Sequence, residues 1–245
     1  MRNIKLTIQY DGSRYKGWQR LGHTDMTIQS KIESVLSKMT NENIEIIGSG
    51  RTDVGVHAIK QVANFKTNSN MSTLQMKEYL YRYLPEDIVI TNVDEVEERF
   101  HSRYNVVSKK YMYKIYNNEY HNPFLRKYTV HIPKKLDLEL MKKASSFLIG
   151  EHDFTSFRSS KSKKKSNIRI IYSIEIIKKD KLIEIIVHGN GFLYNMVRII
   201  VGTLIEVGLK NIQPEYVNHI LLSKDRKLAG PTAPAKGLYL LEVKY

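Results

Sequence analysis

The chain contains no cysteine, which rules out disulfides and thiolate metal sites but leaves the redox compartment open. It also lacks a long apolar run. Its most apolar stretch, Phe192 to Gly208, is shorter than the roughly 20 residues a membrane span needs and carries Arg198 and Glu206. Acidic residues are in deficit: Asp and Glu number 25 against 39 Lys and Arg, so the formal charge is 39 − 25 = +14 and the pI lies near 9.6. This surplus favours a polyanionic partner, either nucleic acid or an acidic membrane surface. The hydrophobic share of 42% is that of an ordinary globular protein, so most of the chain is expected to be ordered. The opening segment, Met1 to Tyr10, alternates polar and apolar residues where a signal peptide would run continuously apolar. A soluble cytoplasmic protein without a membrane anchor is the expectation.

The first part of the chain reads as strand, helix, strand, strand, helix, strand. Ile4, Leu6, Ile8 and Tyr10 share one face of the opening strand, and Ile28, Ile32, Val35, Leu36 and Met39 form a helical stripe. Strands are expected near 45–47 and 61–65, a helix over about 73–83 ending before Pro85, and a strand near 88–93. The same order returns with a strand at 110–116, a helix at 138–148, strands at 169–178 and 182–188 joined by a tight turn, and an apolar helix from Leu193 to Val207. A short helix after Pro214 and a strand at 237–245 close the series. The repetition points to a duplicated ferredoxin-like α+β unit, divided into 1–104 and 105–245.

Three segments are candidates for chemistry. In the first, Gly48-Ser49-Gly50-Arg51-Thr52-Asp53-Val54-Gly55-Val56-His57, small residues allow a tight path that presents Arg, Thr, Asp and His in one short loop. It lacks the Gly-Lys-Ser/Thr ending of a phosphate-binding P-loop. Asp53 and His57 stand four apart, a spacing that converges on a helix, and the glycines argue against a helix, so no metal site is expected. The loop reads either as a turn with satisfied polar groups or as an active-site carboxylate. In the second segment, Lys109 to Tyr116, Tyr111 and Tyr113 fall on one face of a strand and Lys110 and Lys114 on the other. Such tyrosines either pack across strands or stack on an unstacked base beside phosphate-binding cations. In the third, the apolar helix from Phe192, Arg198 must be paired, and Asp53 is the partner anticipated. Apart from these, Arg158, Lys161, Lys163, Lys164 and Lys165 crowd a polar, aperiodic loop read as solvated and as a phosphate contact.

Together the segments resemble the tRNA pseudouridine synthase A family over nearly the whole chain. The matches run in order: Tyr10-Asp11-Gly12 with Gly17-Trp18-Gln19; Gly50-Arg51-Thr52-Asp53 with Gly55-Val56-His57; Phe100-His101-Ser102-Arg103; Lys110-Tyr111-Met112-Tyr113; His152 to Phe157; Phe192 to Gly202; and Ala233-Pro234 with Gly237 to Leu240. The chain departs from the common pattern at Leu21, Val54, Lys110 and Met112, which leaves the exact target uridines open. The resemblance implies two pseudo-symmetric halves sharing a mostly antiparallel sheet flanked by helices. It further implies a homodimer that clasps tRNA and isomerises uridines at positions 38 to 40 of the anticodon arm. By motif position it makes Asp53 the nucleophile, Tyr111 the platform for the target uracil, and Arg51 and Arg198 the site arginines. The reaction neither oxidises nor transfers phosphate, so no cofactor is expected. Two rivals remain at this stage, a non-enzymatic RNA-binding module on the same fold and a metal-dependent nuclease. The nuclease should carry several clustered carboxylates where the loop has only Asp53.

Overall fold

The computed structural model describes residues 1–159 and 166–245. Lys161, Lys163, Lys164 and Lys165, singled out in the sequence, lie outside the described residues. The chain forms two units, Met1–Val107 with Tyr239–Tyr245, and Ser108–Leu238. The boundary set at 104 from the sequence therefore falls after Val107, and the last strand groups with the first unit, not the second.

The first unit contains β1 (Arg2–Tyr10), α1 (Ile28–Thr40), β2 (Ile47–Gly48), β3 (His57–Thr67), α2 (Thr73–Tyr83) and β4 (Ile88–Val96). Ile4, Leu6, Ile8 and Tyr10 are all buried, so the alternation read in β1 does select its inner face. β1 pairs antiparallel with both β3 and β4, and β2 pairs antiparallel with β3. The resulting order β4-β1-β3-β2 is that of a ferredoxin-like unit. α1 buries Ile28, Ile32 and Leu36. It starts where the Thr27 hydroxyl accepts the Ser30 N–H at 3.2 Å, and stops at Asn41, which takes the left-handed conformation at φ 56°. α2 opens on a reciprocal capping box between Ser72 and Gln75.

The second unit contains β5 (Ser108–Asn117), β6 (Val130–Ile132), α3 (Leu138–Ser146), β7 (Gly150–Asp153), β8 (Ile168–Lys179), β9 (Leu182–Gly189), α4 (Met196–Gly208) and α5 (Tyr216–Ser223). Its strands follow the order β5-β9-β8-β7 with antiparallel neighbours, and β6 lies parallel beside β5. The run β5-β9-β8 repeats β1-β3-β2 of the first unit, which is the pseudo-symmetry anticipated. Both units are α+β with mostly antiparallel sheets. The last strand, β10 (Leu238–Lys244), runs parallel to β3, with Tyr239 opposite His57 and Leu240 opposite Ala58.

α4 begins three residues later than the apolar pattern suggests, at Met196 instead of Leu193. The reason is Asn195, whose left-handed backbone (φ 60°) breaks the helical path just before it, a conformation that Asn tolerates better than most residues. Within α4 every residue is buried except Arg198 and Glu206, which are half-buried. Gly202 lets the chain after α5 press against the helix, since a Cβ there would drive into the Pro231 carbonyl. The next residue, Thr203, accepts the Gly230 N–H at 3.0 Å and donates to the Ile199 carbonyl at 2.9 Å. The segment 229–234 is thereby fixed along α4. No helix among the described residues is long and apolar enough to cross a membrane.

Candidate active site

The Asp53 loop joins β2 to β3 in the first unit, and Ser49, Gly50, Thr52 and His57 on either side of the aspartate are tied to buried groups. At its start, the Ser49 hydroxyl donates to Gln61 Oε1 at 2.6 Å, while Gln61 Nε2 donates to the Gly50 carbonyl at 3.0 Å. Ser49 and Gln61 are both buried, so these bonds are made away from competing water and their loss would strand buried polar atoms. In the middle, Thr52 is gripped twice: its hydroxyl meets the Tyr10 hydroxyl at 2.8 Å, and its carbonyl accepts the Trp18 N–H at 3.0 Å. Gly17, at φ 93°, supplies the close approach that this grip requires. A Cβ there would stand 2.8 Å from the Thr52 carbonyl oxygen and 3.3 Å from the Asp53 carbonyl carbon. After the aspartate, the chain turns back as Val56 N–H donates to the Asp53 carbonyl at 3.1 Å.

His57 ends the loop and begins β3. It is buried, and its ring stacks on Tyr239 of β10 with centroids 4.7 Å apart. Its Nδ1 accepts the Gly12 N–H at 3.1 Å. The same nitrogen lies 3.1 Å from Asp11 Oδ1, a contact that would become an ion pair only on a protonated ring. One nitrogen cannot accept and donate at once, so the two contacts are alternatives. The outcome of all this bracing is a half-buried Asp53 between buried Thr52 and exposed Val54, with Arg51 exposed two residues before it.

In the second unit, Tyr111 and Tyr113 share a face of β5 but play different parts. Tyr113 is fully buried, donates to the Pro234 carbonyl at 2.7 Å, and has its phenol pushed far up by burial. It is a core residue. Tyr111 is half-buried, and the edge-to-face contact of its ring with Phe192 fixes its orientation, with centroids 5.2 Å apart and planes at 87°. Arg198 is held by its own unit: Nε donates to the Ala233 carbonyl at 2.7 Å and Nη1 to Asn195 Oδ1 at 2.9 Å. Two bonds from different nitrogens set the plane of the guanidinium. Arg158, at the edge of the basic loop, donates to Asn167 Oδ1 at 2.8 Å.

The structure thus gathers Arg51 and Asp53 on one braced loop of the first unit, and places Tyr111 and Arg198 on β5 and α4 of the second. The sequence alone gives no supporting role to Gln61, Tyr10 or Trp18, nor to Phe192 as the support of Tyr111. Gln61 does leave a signal. It is a polar residue at the head of Gln61-Val62-Ala63-Asn64-Phe65, all buried, and a buried amide must be satisfied by something. No cluster of three or more His, Asp or Glu side chains that could hold a metal occurs among the described residues.

Two ferredoxin-like α+β units, with one carboxylate presented on a braced strand-connecting loop, define the structural class. Residues 6–105 and 144–245 match the model of the tRNA pseudouridine synthase family, and the chain belongs to that family. Over all 245 residues, and the full length of each relative, it is 59% identical to tRNA pseudouridine synthase A of Bacillus sp. strain KSM-64 and 55% identical to tRNA pseudouridine synthase A 2 of Bacillus cereus strain ZK / E33L. Among solved structures, an archaeal box H/ACA sRNP Nop10–Cbf5 complex aligns with 82% of this chain and 43% of that one, at 11% identity and a TM-score of 0.37. That likeness is too slight to add to the assignment.

Proposed function

We propose that this chain isomerises uridine to pseudouridine in tRNA, within the anticodon arm, and that Asp53 is the group acting on the sugar. The observation that supports this reading best is the bracing of Asp53. A loop whose Ser49, Gly50, Thr52 and Val56 are all tied down holds one carboxylate half-buried in a fixed place, the arrangement a reacting group needs. The reaction breaks the N1–C1′ bond, turns the freed uracil, and joins C5 to C1′. C5 then loses its proton and N1 gains one, so atoms balance without oxidant, phosphate donor or metal. Asp53 either attacks C1′ directly or removes a sugar proton to form a glycal, and it must be ionised for both routes. Burial opposes ionisation and a neighbouring guanidinium favours it, which is the role proposed for Arg51 and Arg198. The uridine must leave its stack, at a cost of a few kcal/mol, and the Tyr111 ring is proposed to receive it. In vitro, unmodified tRNA treated with the protein and then sequenced after chemical marking should show pseudouridine in the anticodon arm. Unmarked RNA after long incubation would overturn the reading.

Two further outcomes follow from this assignment. Tyr111→Ala should lose roughly 5–160-fold in activity, since base stacking on an aromatic ring is worth about 1–3 kcal/mol, whereas Tyr111→Phe keeps the platform and stays within a few-fold of wild type. If Phe proves as damaging as Ala, the hydroxyl is the active part and proton transfer at C5 becomes its role. The basic loop is proposed to hold tRNA phosphates. Replacing Lys161, Lys163, Lys164 and Lys165 with Ala should flatten the dependence of log affinity on log salt by roughly 0.7–0.9 for each phosphate no longer neutralised. An unchanged slope would make the loop a solvated surface and nothing more. The reading also makes the protein a cytoplasmic homodimer, and a monomer in sedimentation velocity at micromolar concentration would remove the dimer from it.

A further inference from the structure

Away from Asp53, residues 101–105 of the first unit form a turn built with unusual firmness beneath and left open above. Its floor is Ser102, which is fully buried. The Ser102 hydroxyl donates to the Ile47 carbonyl, its N–H donates to Asn64 Oδ1 at 2.9 Å, and its carbonyl accepts the Tyr245 hydroxyl at 2.8 Å. Asn64 is held in turn by Asn3, whose Nδ2 donates to the Phe100 carbonyl at 2.9 Å. The turn is also closed on itself. His101 Nδ1 accepts the N–H groups of Arg103 and Tyr104 at 3.1 and 3.3 Å, and the backbone N–H of His101 donates to Asn105 Oδ1 at 2.7 Å.

This frame carries two exposed side chains, Arg103 and Tyr104, the latter 79% exposed. The Tyr104 ring stacks on the His101 ring, with centroids 4.2 Å apart and planes 30° from parallel, so one face is backed and the other faces solvent. A single exposed tyrosine needs no explanation. A tyrosine backed by an imidazole, beside an exposed guanidinium, on a turn held by buried hydrogen bonds, is a preformed stacking platform with a cation next to it. Arg99, also exposed, adds a second cation. Glu97 and Glu98 precede it, and Glu98 is paired with Lys66 at 3.7 Å. The floor of the turn also touches the strand that leads into the Asp53 loop. Ile47, whose carbonyl Ser102 holds, lies just before Gly48 at the head of that loop.

We propose that Tyr104 and Arg103 form a second tRNA contact, separate from the reaction centre, in which an unpaired base stacks on the outer face of Tyr104 and Arg103 takes an adjoining phosphate. The proposal rests on the tRNA reading above, and binding, not turnover, decides it. With the full-length protein and an unmodified tRNA transcript, Tyr104→Ala should weaken binding at least fivefold while Tyr104→Phe stays within twofold of wild type. Arg103→Ala should lower the slope of log affinity against log salt by about 0.7–0.9. Because both side chains are exposed, the variants should melt at the wild-type temperature. At saturating tRNA, the turnover of Tyr104→Ala should match wild type, which separates a binding contact from one that merely shapes the neighbouring loop. Affinity unchanged in Tyr104→Ala overturns the proposal. So does a changed sedimentation coefficient with unchanged tRNA affinity, which would make the turn a protein interface. If the wild-type protein bound tRNA but formed no pseudouridine, the functional reading would fall while the affinity comparison still decided this contact.

Discussion

Asp53→Asn is expected to reduce pseudouridine formation by at least about 10³-fold, equivalent to about 4 kcal/mol of transition-state stabilisation, while tRNA affinity stays within about threefold. The amide keeps the size of the side chain and removes the charge that either route through the sugar requires. The bonds that brace the loop come from Ser49, Gly50, Thr52 and backbone groups, so the variant should hold its fold and melt within a few degrees of wild type. Turnover within tenfold of wild type would remove Asp53 from the chemistry. Wild-type turnover should also survive excess chelator, and activity abolished there and restored by a divalent metal would point to a different reaction class.

Arg198→Met is the second large effect expected, with most activity abolished and some stability forfeited too. The activity belongs to the proposed role beside the reacting carboxylate. The stability follows from bonds already present: without the guanidinium, the Ala233 carbonyl and the Asn195 side chain lose their donors, at about 1–3 kcal/mol for a buried group left unsatisfied. Arg198→Lys keeps the charge but cannot reproduce a planar fork that bonds through two nitrogens, so it should fold and turn over slowly. The ion pair anticipated from the sequence is tested by a double-mutant cycle in thermal unfolding with Asp53→Asn. Coupling above about 0.5 kcal/mol supports it, and additive effects reject it.

What the sequence discloses depends on how local each determinant is. α2 is legible at both ends because a capping box and a proline mark them within a few residues, and β1 because one of its faces is buried and alternation shows it. β3 reads as five residues where it has eleven, since it is buried on both faces over much of its length and periodicity gives no edges. β6 and β7 are three and four residues long, too short for any pattern to rise above the loops around them. The glycine-rich loop identifies Asp53 as a candidate from a ten-residue window. Its supports cannot be read that way. Tyr10, Trp18 and Gln61 act on the loop through contacts that exist only once β1, β3 and the chain after β1 have come together. Likewise Phe192 and Tyr111 are 81 positions apart, and nothing in either neighbourhood announces the other.

The grouping of β10 with the first unit has a consequence for biosynthesis. Residues 1–107 leave the ribosome first, yet their sheet still lacks the strand that lies along β3 and the ring that covers His57. The whole of 108–238 must be translated before that strand arrives, a delay on the order of ten seconds at ordinary elongation rates. Throughout that interval the His57–Ala58 end of β3, beyond its pairing with β2, presents a short unpaired edge beside a nascent polypeptide, the kind of surface that chaperones and stray strands bind. The loop that carries Asp53 enters β3 at His57, so the residue proposed to do the chemistry is supported in full only after β10 has been translated.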